Sequence, residues 1–343
     1  MEKEHYNTIT NHTKNICHRI AFIDISRTIA VLWIVGYWHL RVYCGNNYIN
    51  PHISFKGDSY ITDVILGLFM FISGFLISKY KFDHFKEECI SFYKKRFIRF
   101  YLLYAISILL LYIIGYNSLF GRSCIFTSLT MLSTYILPQP RTLWFFSMIA
   151  SFYIFTPFIL KKIPISLIWS FVTIYGCSII LMILLPKGID PRFFWCFPLY
   201  FAGLCIGKKK DNLFLLIRNT YVGGICLALF TIQILSIVKG YNCYFLQYIT
   251  LPFGVVFLLY LSYLLSHLPI SLISDKIAYA SMCAYLFHRE IYISLMSIYN
   301  LFGFNQPYWF SLITFLPICF IISYYIQIVY DKITPYISKI IRL

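Results

Sequence analysis

Charge is what this chain has least of. Only 12% of its 343 residues are charged and only 13 are acidic, where an ordinary soluble domain carries about 25% charged residues. A surface of that composition cannot be kept wet, which argues against a soluble enzyme. At 59% hydrophobic residues the chain must bury itself somewhere, which argues equally against disorder. Its 11 cysteines form no C-x-x-C pair and no Cys/His zinc spacing, so no metal is expected. Most of them lie inside apolar runs, where cysteine packs as a small apolar side chain. Period-two alternation is missing, which excludes a transmembrane barrel. The two halves share no repeat, which lowers the expectation of an inverted-repeat transporter. Residues 1–19 are polar and hold no short apolar core before a small-residue cleavage site, so they read as a tail rather than a signal peptide.

What the chain does have is long apolar runs, at about 20–40, 61–78, 100–115, 143–160, 163–185, 193–207, 220–238, 244–265, 277–299 and 308–330. A bilayer span needs about 20 apolar residues. The expectation is an all-α membrane protein: a bundle of about ten transmembrane helices over 20–331, between a polar tail at 1–19 and a short tail at 332–343. The run Cys124–Leu137 is too short to cross and reads as a re-entrant or interfacial piece. With the N-terminus placed inside, 20 of the 29 basic residues fall in inside segments and seven in outside segments, with Arg27 and Arg289 inside spans. That bias fits the positive-inside rule with both termini cytoplasmic. It accounts for the net charge of +16 without a nucleic-acid partner, and no soluble basic stretch is interleaved with stacking aromatics.

Polar residues inside hydrocarbon are costly and mark either a partnered pair or a site. The first run holds Asp24, Arg27 and, in its outer third, His39. Arg27 can snorkel to the headgroups or pair with Asp24 one turn back. His39 can bond a loop carbonyl or act as a base. The second run ends with Ser73-Gly74-Phe75, where a small residue allows close helix packing or the approach of a ligand. Arg96 and Arg99 stand three apart at the start of the third, either as a charge anchor or as a fork for phosphate. The fourth opens with Trp144 and continues to Tyr153 and Pro157. The ninth carries His288-Arg289-Glu290 at its middle, readable as a buried ion pair or as cavity lining.

In order along the chain, these pieces resemble the acyltransferase family 3 proteins, multi-span bacterial enzymes that O-acylate sugars of surface polysaccharides. The matching residues are Arg27 and His39, Phe69 to Phe75 around Ser73-Gly74, Arg96 and Arg99, Leu143-Trp144 with Tyr153 and Pro157, and Tyr285-Leu286 with His288. The resemblance implies a protein of the bacterial cytoplasmic (inner) membrane. It implies acetyl-CoA or another acyl-CoA as donor, a glycan or lipid-linked glycan hydroxyl as acceptor, and no permanently bound cofactor. It places His39 and Arg27 in catalysis and Arg96, Arg99, Ser73 and Gly74 at the donor. Trp144, Tyr153, His288, Arg289 and Glu290 would line the rest of a polar cavity. Outer segments 41–60 and 116–142 are the expected acceptor contacts. A transporter or flippase of a lipid-linked sugar would also need intramembrane Arg, His and Glu, and nothing in the residues separates the two readings.

Two departures from the family pattern carry expectations. Where many members have an acidic residue six before the serine, this chain has Gly67. Eleven residues separate Arg27 from His39, where the family usually has ten. In a regular helix that offset puts His39 about 120° around the axis from Arg27, against about 20° for the family spacing. If both serve one reaction, the helix must absorb a residue. The spacing predicts a π-bulge or a break in the ladder between about Trp33 and Trp38, centred on Gly36, with Arg27 and His39 facing one cavity.

Overall fold

The computed structural model describes residues 20–43, 55–114, 122–135, 143–161, 167–184, 190–208, 210–241, 243–303 and 308–340. The tail at 1–19 and parts of the outer segments 41–60 and 116–142 lie outside them. Among the described residues the ordered elements are all helical, as hydrocarbon requires of a chain that must satisfy its own backbone.

Each of the ten apolar runs carries a helix. The first, α1, runs Ala21–Val31, widens into a π-helical segment Leu32–His39 and closes as Leu40–Tyr43. Then come α2, Asp58–Ile77, and α3, built as Phe85–Arg96, a second π segment Phe97–Tyr101, and Leu102–Ile113. A short α4, Arg122–Leu129, stands where the run too short to cross was expected. The remainder are α5 Trp144–Lys161, α6 Leu167–Leu184, α7 Arg192–Lys208, the short α8 Lys210–Arg218, α9 Thr220–Val238, α10 Tyr244–Leu265, α11 Ser271–Leu301 and α12 Tyr308–Ile340. Among the described residues, seven helices are long and apolar enough to cross a membrane, against the ten spans expected: α1, α2, α3, α5, α9, α10 and α12. Of the rest, α7 has 17 residues, and α11 carries Asp275, Lys276 and the His288-Arg289-Glu290 triplet.

Packing puts α1 at the centre, against α2, α10 and α11. The tightest crossing joins α2 to α7. A Cβ on Gly74 would sit 2.1 Å from the Tyr200 carbonyl oxygen, and one on Gly203 would sit 2.1 Å from that of Phe71. Two backbones approach that closely only through glycine, the usual contact between membrane helices. Gly67 lies in the same wall: a Cβ there would meet Leu199 at 2.7 Å and Leu251 at 3.0 Å. The acidic side chain common at this place in the family has no room here. Asp63, one turn earlier on α2, is the half-buried carboxylate of that helix.

Candidate active site

The site begins with α11. Ser281, Tyr285, His288 and Tyr292 are spaced four, three and four apart, so they share one helix face. That face meets α1. The Arg27 guanidinium donates to Ser281 Oγ at 2.8 Å and lies 3.8 Å from Asp24. Two turns on, the rings of His39 and His288 stack, with centroids 4.7 Å apart and planes 10° apart. Both arginine and histidine of α1 therefore face one helix. The π segment Leu32–His39 covers the stretch where the sequence demanded an absorbed residue. A Cβ on Gly36 would meet Leu316 at 2.9 Å, so glycine serves there for close packing against α12 as well as for backbone latitude.

A cavity of about 470 Å³ opens at the end of the bundle where α1 begins and α2 finishes. It gathers Arg27, Ser73, Arg96, Arg99, Tyr153 and Ser281, with Asp24, Lys79 and Tyr80 at its mouth. Arg96 lies among three rings, its guanidinium carbon 5.4 Å from the centroids of Tyr80, Phe92 and Tyr153. Cation–π contacts of this kind hold an arginine in place where no carboxylate does, and its buried Nε has no described hydrogen-bond partner. Arg99 is exposed in the cavity. Aromatics form the inner wall. The Tyr285 ring lies 5.5 Å from Phe145, 5.4 Å from Phe146 and 6.3 Å from Phe69, and all four line the cavity. On its other side Tyr285 touches His288 at 6.1 Å and His39 at 6.5 Å. Tyr285 is thus the partition between the arginine cavity and the imidazole pair. The expectation that His39 and Arg27 line the same cavity meets this wall: Arg27 lines it, and His39 lies beyond Tyr285.

The imidazoles are chemically defined. His288 Nδ1 lies 2.8 Å from the Tyr285 carbonyl and 3.2 Å from that of Ala284. A carbonyl only accepts, so Nδ1 carries the hydrogen and Nε2 bears the lone pair. Nε2 of His288 and Nδ1 of His39 are buried with no described hydrogen-bond partner.

Other expected residues sit apart from the cavity. Gly74 is at the α2–α7 crossing. Trp144 lies under Arg192, whose guanidinium carbon is 3.5 Å from the ring centroid and whose Nε bonds both oxygens of Asp190 at 2.8 and 3.0 Å. No described ion pair joins Arg289 to Glu290. Instead the Glu290 carboxylate accepts from Ser107 Oγ at 2.7 Å, and Arg289 is buried beside it. The residues that sequence reasoning missed are Tyr80, Phe92, Ser281 and Tyr285 in its wall-forming role. Of these only Tyr285 carried a signal, its place four after Ser281 and three before His288 on one face.

No described group of His, Cys, Asp or Glu could hold a metal ion. The bundle and its buried polar site define an integral-membrane helical protein. The acyltransferase-domain family profile of the Acyl_transf_3 type matches residues 20–328, and the chain belongs to that family, which makes it an acyltransferase. No curated protein and no solved structure matches it.

Proposed function

We propose that the chain is an O-acyltransferase of the bacterial inner membrane. In this reading it moves an acetyl group from acetyl-CoA to a hydroxyl of a surface polysaccharide or of its lipid-linked precursor. One observation carries the reading: a cavity with arginines at one end closes on a tyrosine that touches two stacked imidazoles. Arg27, Arg96 and Arg99 hold the phosphates of the donor, since guanidinium forks match phosphate oxygens. Ser73 and Tyr153 flank the pantetheine arm. The acyl end points at Tyr285, and transfer requires that ring to turn aside so that the thioester carbonyl meets the imidazoles behind it.

His39, an imidazole whose buried Nδ1 has no described hydrogen-bond partner, is the base. It takes the acceptor hydroxyl proton as the oxygen attacks the thioester carbonyl carbon. The C–S bond then breaks, and the imidazolium returns the proton to the departing thiolate. Atoms and charge balance, so the step needs no redox partner. His288, its tautomer set by the Tyr285 carbonyl, stacks against the base and keeps its ring plane.

The test is release of free CoA thiol from acetyl-CoA by the purified protein. His39→Ala is expected to abolish release while the protein still inserts and keeps its thermal midpoint. Wild-type turnover in that variant moves the base to His288. Donor cleavage absent from the wild-type protein, together with movement of a lipid-linked sugar across vesicles, would replace the reading with a flippase.

A further inference from the structure

A π segment fits one extra residue into the helical ladder, so where the chain returns to α geometry one carbonyl competes for a donor. Among the described residues there are two such segments, and a tyrosine hydroxyl reaches into each. Tyr292 of α11 donates to the carbonyl of Val35, inside Leu32–His39, at 3.2 Å. Tyr330 of α12 donates to the carbonyl of Ile98, inside Phe97–Tyr101. Both tyrosines are buried, Tyr292 fully. The two segments are also the ones that carry the site. The first ends on His39. The second contains Arg99 and follows directly on Arg96.

Tyr292 does more than bond a carbonyl. Its ring lies 5.9 Å from that of His288, edge to face. One side chain therefore touches one imidazole and fixes the backbone that presents the other. Without an external donor, each segment can pass its extra residue along the helix, and such slippage rotates everything beyond it by a large part of a turn.

We propose that Tyr292 and Tyr330 are positioning residues of acyl transfer, each holding the helical phase of one half of the site by capping a π-segment carbonyl. Tyr292 sets His39 and Tyr330 sets Arg99. The inference rests on the acyltransferase reading given above. It assigns the two hydroxyls different kinetic signatures, because one serves the reacting end and the other the phosphate end.

The experiment measures thiol release from acetyl-CoA by purified wild type, Tyr292→Phe and Tyr330→Phe, with KM and kcat separated and thermal midpoints read in parallel. Phenylalanine keeps each ring and its packing and removes only the donor. Tyr292→Phe is expected to lower kcat about tenfold at unchanged KM, the scale of a reacting group held slightly out of place. Tyr330→Phe is expected to raise KM for acetyl-CoA about three- to tenfold at nearly unchanged kcat. Both midpoints should stay within about 4 °C of wild type. Unchanged kinetics in both variants overturns the inference and leaves the acyltransferase reading standing. Loss of kcat and KM alike in both variants, in step with lost stability, also overturns it, because ordinary packing does that. No thiol release from the wild-type protein overturns the underlying reading and this inference with it.

Discussion

Arg96 has aromatic rings around it where a buried cation more often has a carboxylate. A guanidinium is planar and weakly hydrated, so it can lie among Tyr80, Phe92 and Tyr153 and still direct donors into the cavity. An ammonium cannot do both. Arg99 stands exposed in the same cavity, with nothing but its charge and fork to offer. Two substitutions separate these roles. Arg99→Ala should weaken acetyl-CoA binding about tenfold, the scale of one charge-assisted hydrogen bond, and Arg99→Lys should restore part of it. Arg96→Lys should restore little, since the aromatic cage needs the planar group. Equilibrium binding of acetyl-CoA to the purified variants measures both, and full rescue by lysine at position 96 would count against the cage as a selective feature. Arg96 and Arg99 were legible as a pair from their spacing of three. The cage was not, because Tyr80 reaches it from the connection after α2 and Tyr153 from α5, and spacing along one helix says nothing of that.

Glycine and the π turn decide what the helices can do as elements. Gly74 looked from the sequence like either a ligand approach or a packing point. The Tyr200 carbonyl, 2.1 Å from where its Cβ would stand, makes it a helix contact. Backbone cannot yield as a flexible side chain does, so Gly74→Ala should destabilise the bundle by about 1–3 kcal/mol, as overpacking does. The folded fraction should keep the wild-type KM for acetyl-CoA. Thermal unfolding in detergent together with donor titration checks this, and a raised KM at unchanged stability would return Gly74 to the donor site. The π segment of α1 was legible from arithmetic alone, because Arg27 and His39, offset by 12 positions, cannot share a face in a regular helix. The partner that stabilises it, Tyr292, was not legible. It lies more than 250 residues away and gives no local sign of the carbonyl it reaches.

At the scale of the molecule, the ten apolar runs translated into ten helices because hydrophobic length is a property of the chain itself. The site did not translate so directly. Arg27 to Ser281 and His39 to His288 are contacts across about 250 residues, and they exist only once α1 has packed on α11. The cavity mouth belongs to the end of the bundle that also holds the Lys79–Arg96 connection. In the proposed reading the donor enters from whichever side of the membrane that connection faces. Acetyl-CoA is made in the cytoplasm, and this segment is rich in lysine and arginine, as cytoplasmic loops are. Asp83 and Lys56 are both exposed and lie at opposite ends of α2. In intact cells expressing a variant without reactive native cysteines, Asp83→Cys should resist a membrane-impermeant maleimide until the membrane is opened. Lys56→Cys should label at once. Labelling of Asp83→Cys from outside would put the arginine cavity on the wrong side of the membrane for acetyl-CoA. It would leave the helices, the π segments and the stacked histidines in place but remove the donor assigned to them.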